Sequence, residues 1–202
     1  MSNEDDNPQE IKMILIGDSG VGKTNLINTS IGLSFTTDEN PTASGTFVSK
    51  EFEIDGKTYI INLWDTAGEE SYRGITQLFY RGAEIVVLVY DICSLESFNS
   101  LKDWYELAEN TINTEHIYGI AGNKKDLFLE SKTDDNEAMK FAESKNAKFK
   151  LVSAKEDPGS FIQFVEELIM VYKKIPKLER RQSIKIDKKK KPNNNKENCN
   201  KC

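Results

Sequence analysis

At 202 residues with 38% hydrophobic content, the chain is long enough for one domain with a sizeable core, and its size does not require a second. The formal net charge of −6 hides a split, because from Pro176 onward ten Lys or Arg face three acids, which leaves residues 1–175 strongly acidic. Such a body would repel phosphate backbones, which argues against nucleic-acid binding; no apolar run reaches the roughly eighteen residues of a membrane span, and the acidic MSNEDDNPQE start lacks the features of a secretory signal.

Residues 1–10 read as a short disordered lead. IKMILI (11–16) is an apolar run that ends at a Gly-rich turn and predicts a strand, and GKTNLINTSI after it predicts a helix. TFVSKEFEI and KTYIINLW flank Asp55-Gly56, a strong two-residue hairpin signal, so an antiparallel pair is expected whose second arm delivers Asp65 at its end. EIVVLVYD and HIYGIAGNKKD read as strands, separated by the helical SLESFNSLKDWYELAEN with Ser94 as its N-cap. KFKLVSAK supplies a sixth strand and FIQFVEELIMVYKKI a final amphipathic helix, stopped by Pro176. Alternating strands and helices imply right-handed crossovers and an α/β fold with a mostly parallel sheet covered on both faces, over residues 11–175. Residues 176–202, rich in Lys and Asn, cannot build a core and read as a flexible basic tail.

GDSGVGKT, Gly17 to Thr24, fits G-x-x-x-x-G-K-[ST] and lies between a predicted strand and a predicted helix. In such a loop the backbone N–H groups of Asp18, Ser19, Gly20, Val21 and Gly22 curl around an anion, and the helix that opens with Lys23, Thr24 and Asn25 adds partial positive charge. Lys23 would reach terminal phosphates and the Thr24 hydroxyl would serve Mg2+, a hard cation that takes oxygen ligands. The loop alone fits any nucleoside triphosphate. GNKKD discriminates: the Asp126 carboxylate can accept two hydrogen bonds from the guanine ring nitrogen and exocyclic amine, whereas adenine would present it with an acceptor. The Ala154 N–H in the Ser153-Ala154-Lys155 stretch could bond the guanine carbonyl, and Lys124, next to Asn123, could lay its stem along the base. A P-loop ATPase or small-molecule kinase is disfavoured by Asp126 and by the lack of a lid-like insertion.

GDSGVGKT, WDTAG (64–68), GNKKD and SAK together resemble the Ras superfamily of small GTPases, and FYRGA (79–83), YDI (90–92) and the C-terminal cysteine pair resemble its Rab family, over roughly Ile11 to Tyr172. The resemblance implies a P-loop small GTPase domain with a six-stranded, mostly parallel sheet, five helices and one antiparallel strand pair. It also implies a GTP/GDP switch with Mg2+, acting in vesicle trafficking between the cytosol and the cytoplasmic face of endomembranes. By position, Thr42 resembles the threonine that binds Mg2+ when the γ-phosphate is present, Asp65 holds Mg2+ through water, and the Gly68 amide bonds the γ-phosphate. Phe35 resembles the aromatic that packs on the guanine edge; simple surface packing is the alternative. Implied partners are a guanine nucleotide exchange factor, a GTPase-activating protein, effectors at the switch regions, and prenylation and membrane-extraction chaperones, with a monomer as the family expectation.

Two positions depart from the family. Ser44 stands where Gly is usual, and Glu69 stands where a glutamine normally orients the attacking water. An ionised glutamate only accepts hydrogen bonds, and its charge opposes the phosphate's. Hydrolysis is therefore expected to be slow without an activating protein; alternatively Glu69 serves as a base, or the chain is a GTP-locked, membrane-tethered scaffold. Glu70 and Tyr72 fit partner-facing positions. Cys199 and Cys202 end the chain as CNKC, a spacing that leaves open which is prenylated, and Lys188–Lys191 add a basic patch for an anionic membrane. Ser183 in RRQS is a weak kinase motif. His116 reads as structural or solvated, Cys93 as a small buried hydrophobe, and Trp104 with Tyr105 as helix packing.

Overall fold

A computed structural model describes residues 7–37, 46–66 and 79–175. Thr42, Ser44, Gly68, Glu69, Glu70, Tyr72, Ser183, the Lys188–Lys191 run, Cys199 and Cys202 lie outside the described residues.

Six strands form one sheet: β1 (Gln9–Ile16), β2 (Thr46–Ile54), β3 (Lys57–Asp65), β4 (Ile85–Asp91), β5 (Ile117–Asn123) and β6 (Lys148–Leu151), in the order β2-β3-β1-β4-β5-β6. Only β2 and β3 pair antiparallel; the remaining neighbours are parallel. The β2–β3 connection is the two-residue turn at Asp55 (φ 52°) and Gly56 (φ 71°), both in the left-handed region, where Gly meets no Cβ penalty and Asp tolerates it. Strand β1 begins two residues inside the segment read as a disordered lead, because Gln9 and Glu10 pair with Tyr59 and Ile60. Their polar side chains hide from a hydrophobicity pattern what their backbones do.

Five α-helices lie wholly within the described residues: α1 (Lys23–Ser30), α2 (Leu95–Asn99), α3 (Leu101–Thr111), α4 (Asp135–Ser144) and α5 (Pro158–Tyr172). Ser94 caps α2 as expected, its hydroxyl accepting from Ser97 N at 3.2 Å. The single helix read across Ser94–Asn110 is divided at Ser100, whose Oγ turns back to the Glu96 carbonyl at 3.1 Å. Helix α5 starts earlier than its apolar pattern, because Asp157 accepts from Ser160 N at 3.1 Å and Pro158 sits where no intrahelical N–H is needed.

Both faces of the sheet are buried, which is why its central strands read as unbroken apolar runs. Alternate residues of β1 divide between the two layers: Ile11, Met13 and Leu15 face the α1/α5 side with Phe161, Phe164 and Leu168, while Ile14 and Ile16 face Leu101, Trp104 and Ala108 of α3. No helix among the described residues is long and apolar enough to cross a membrane.

Phe164 is fully buried beneath the sheet. Phe164→Ala is expected to destabilise the fold by about 3–5 kcal/mol, read from urea unfolding at fixed nucleotide concentration. A loss below about 1 kcal/mol would contradict this packing.

Candidate functional site

A cavity of about 440 Å³ opens beside the loop that joins β1 to α1, within the size range of ligand sites. Helix α1 begins after Gly22 (φ 93°) with no side chain capping its N-terminus, whereas Ser94, Asp134 and Asp157 cap α2, α4 and α5. The start of the helix carries the positive end of its dipole toward the cavity that Lys23, Thr24 and Asn25 line. A Cβ on Gly22 would lie 2.4 Å from Asn123 Nδ2, so the position needs glycine for space as well as for its backbone angle.

Lys23 is 6% exposed, and its ammonium donates to the Gly17 and Asp18 carbonyls, each at 2.8 Å. Burial pushes its pKa down to about 8, against the opposing pull of the Asp65 and Asp18 carboxylates. Thr24 Oγ1 donates to Asp65 Oδ2 at 2.7 Å, and the Thr66 hydroxyl donates to the Leu15 carbonyl at 2.6 Å, which ties the end of β3 to β1. A hydroxyl and a carboxylate oxygen brought together in this way fit a hard cation such as Mg2+. No group of three His, Cys, Asp or Glu among the described residues could hold a metal unaided, so phosphate and water oxygens would complete its shell.

Asn25 and Thr36 exchange two hydrogen bonds, Asn25 Nδ2 to Thr36 O at 2.9 Å and Thr36 N to Asn25 Oδ1 at 3.1 Å. This clamp fixes the segment after α1, so that Phe35 both packs on the α1/α5 core and lines the cavity. The two readings of Phe35 are compatible in one position.

At the far end, buried Asn123 donates from Nδ2 to the Val21 carbonyl at 2.8 Å and accepts from Ala154 N at 3.3 Å. Lys124 adopts a left-handed conformation (φ 66°), and its ammonium pairs with Asp91 Oδ2 at 2.7 Å. Asp91 Oδ1 accepts from Cys93 N at 2.9 Å, so the acid is itself held. The Ser153 hydroxyl donates to Asp126 Oδ1 at 2.5 Å and accepts from Glu156 N at 3.0 Å, which sets the direction of the Asp126 carboxylate.

Ser19, Gly20, Gly22, Lys23, Thr24, Asn25, Phe35, Asn123, Lys124, Asp126, Ala154 and Lys155 line the cavity together. Asp18, Val21, Asp65 and Ser153 do not: Val21 is buried in the core, Asp18 turns its carboxylate to Trp104, Asp65 meets Thr24, and Ser153 supports Asp126 from behind. The sequence reading missed the lining residues Thr36, Thr37, Thr66 and Leu127 and the supporting Asp91. Asp91 ends the EIVVLVYD strand pattern and lies within YDI, readings that give its side chain no role in the site. Cys93 is half-buried where a buried hydrophobe was expected, with its thiol directed at the Leu127 carbonyl at 3.8 Å. His116 is structural, held between the Thr114 carbonyl at 2.7 Å and the Tyr118 hydroxyl at 3.0 Å.

A parallel sheet with a glycine loop, a buried lysine and an uncapped helix at one end of the cavity and an oriented carboxylate at the other defines a P-loop nucleotide-binding protein. A family model described as the Ras family matches residues 12–173. Ras-related protein RIC2 of Oryza sativa subsp. japonica is 35% identical over 86% of this chain and 80% of its own length. Ras-related protein Rab-7a of Paramecium octaurelia is 39% identical over 73% of this chain and 74% of its own, and Ras-related protein RABA1b of Arabidopsis thaliana 35% over 84% and 79%. The chain belongs to the Ras family and, within it, to the Rab small GTPases. Members of this family hydrolyse GTP, bind GTP or GDP with Mg2+, and work through exchange factors, activating proteins and effectors.

The depressed Lys23 pKa has a definite sign. Between about 8 and 10.5 the unfolded chain binds more protons than the empty folded site, so the nucleotide-free fold gains stability as pH rises through that window. An anion favours the charged ammonium, so GDP binding is expected to take up protons and to weaken as pH rises past about 8. Calorimetry in buffers of different ionisation enthalpy, with chelator present, measures this; no proton uptake would contradict it. Gly22→Ala is expected to abolish nucleotide retention in a filter-binding assay, through its clash with Asn123.

Proposed function

We propose that the chain is a Rab-type molecular switch that alternates between GTP and GDP, and that its GTP form recruits effectors in vesicle trafficking on the cytoplasmic face of endomembranes. The observation that carries the nucleotide reading is the Asp126 carboxylate, oriented by Ser153 across the cavity from Lys23. Its free oxygen directions suit the two N–H donors of guanine, and the Lys124 stem, anchored by Asp91, suits the face of the base; the Ala154 N–H, which donates to Asn123 Oδ1 at 3.3 Å, would share or exchange that long bond to reach the guanine carbonyl. Lys23 and the backbone of Ser19 to Gly22 take the phosphates. Mg2+, held by Thr24, Asp65 and, from the family pattern, Thr42, would neutralise charge on the phosphates.

Around that ligand the chain's own groups position and stabilise. Lys23 is a fixed positive charge where the leaving and transferring phosphates meet, and the Gly68 N–H is assigned to the γ-phosphate. Glu69, at the position of the water-orienting glutamine, accepts from the attacking water but has no donor for the transferring group. Intrinsic turnover is accordingly slow, and an activating protein supplies what is missing; the second reading, a GTP-locked scaffold, rests on the same residue. Effectors are assigned to an apolar surface where Phe47, 56% exposed, stacks on Trp64 at 4.8 Å and Trp64 leans on Phe79 at 5.6 Å. Prenylation at Cys199 and Cys202, with Lys188–Lys191, completes the membrane assignment.

Single-turnover hydrolysis of radiolabelled GTP by the full chain and by Glu69→Gln tests the catalytic part. The variant is expected to be faster by about a hundredfold, the lower end of the scale of one hydrogen-bond donor in a transition state. Equal rates would remove Glu69 from the mechanism.

A further inference from the structure

An acidic side chain in a loop that takes phosphates is an electrostatic liability, since its charge opposes the ligand's. Asp18 is that residue, and one contact accounts for it. Its Oδ1 accepts a hydrogen bond of 2.7 Å from Trp104 Nε1, 86 positions along the chain. Trp104 is 6% exposed, packed between α3 and the sheet, and a buried indole N–H has one donor to satisfy and no acceptor to offer. A hydrogen bond onto an ionised carboxylate is among the stronger kinds. The Asp18 carbonyl meanwhile accepts from the Lys23 ammonium at 2.8 Å, so one residue ties the lysine through its main chain and α3 through its side chain. Asp18 is absent from the cavity lining even though its neighbours Ser19 and Gly20 are part of it.

We infer that Trp104 is a positioning residue for the nucleotide site, whose indole N–H holds the Asp18 carboxylate on the α3 side of the loop and away from the phosphates. Trp104 does not line the cavity; it acts through Asp18. The inference rests on the reading of this loop as the phosphate end of a guanine-nucleotide site. Phenylalanine in place of Trp104 keeps most of the apolar packing and removes the donor. The released carboxylate is then able to turn toward the cradle, where it repels the phosphates and hastens their departure. With alanine at position 18 there is no charge to restrain, and the same change at Trp104 has nothing to release. An indole that served only as core packing would alter release by the same factor in both backgrounds.

The test is release of mant-GDP from the full chain, followed by fluorescence at low and moderate salt. Trp104→Phe is expected to speed release about tenfold, equivalent to ~1.4 kcal/mol, with a larger factor at low ionic strength. Asp18→Ala combined with Trp104→Phe is expected to match Asp18→Ala alone. Wild-type release from Trp104→Phe, or equal factors in the two backgrounds, would overturn the assignment. A second measurement does not depend on Trp104→Phe folding: the chain has two tryptophans, so Trp64→Phe leaves Trp104 as the sole indole emitter. Adding Asp18→Ala should then shift its emission maximum, and an unmoved spectrum means that the bond is not made. Wild-type protein that retains no mant-GDP overturns the nucleotide reading and this inference together; retention with an unchanged Trp104→Phe overturns this inference alone.

Discussion

The side-chain amide of Asn123, 2% exposed at the end of β5, donates to the Val21 carbonyl in the loop after β1 and accepts from the Ala154 N–H in the loop after β6. Two turns that are remote in sequence are thereby held at a fixed separation by one buried group. Satisfied in this way, a buried amide is rigid, and leaving either partner unmade would cost the desolvation of that partner. Gly22 must then pass within touching distance of the same amide, which is possible only without a Cβ. Phosphate and base ends of the cavity therefore keep one spacing, and a ligand has to match it.

The second constraint is charge. The folded part of the chain is strongly acidic, yet its cavity is laid out for a polyanion. Local devices overcome the global sign: the positive end of a helix with no side-chain cap, and a buried lysine ammonium fixed by the Gly17 and Asp18 carbonyls. At short range and low dielectric these outweigh distant surface acids, which salt screens. The acids nearest the site are each restrained. Asp65 meets Thr24, Asp91 meets Lys124, Asp126 meets Ser153, and Asp18 meets Trp104.

What was legible in the sequence was whatever is written locally. The glycine loop, the Asp55-Gly56 turn, the Ser94 cap and the six strand patterns each specify their structure over a few residues, and the six strands and the mostly parallel topology follow from them. GNKKD and SAK were legible as spacing, and the structure adds how their side chains are held. Contacts between distant elements were not legible. Asp91 ends β4 and Lys124 follows β5, Asn25 reaches Thr36 beyond its own helix, and Trp104 reads as one more apolar residue on an amphipathic face until its N–H is seen against Asp18. The short 3-10 helix Lys125–Glu130 carries Leu127 into the cavity without any periodic signal. Gln9 and Glu10 join β1 through backbone pairing that their polarity conceals.

The proposed selection of guanine rests on the Asp126 carboxylate, oriented by Ser153 at the end of the cavity away from Lys23. Competition calorimetry of the full chain with GDP and ADP measures it directly. GDP is expected to bind at least about a thousandfold more tightly, since adenine would leave Asp126 facing an acceptor. Equal affinities would contradict it.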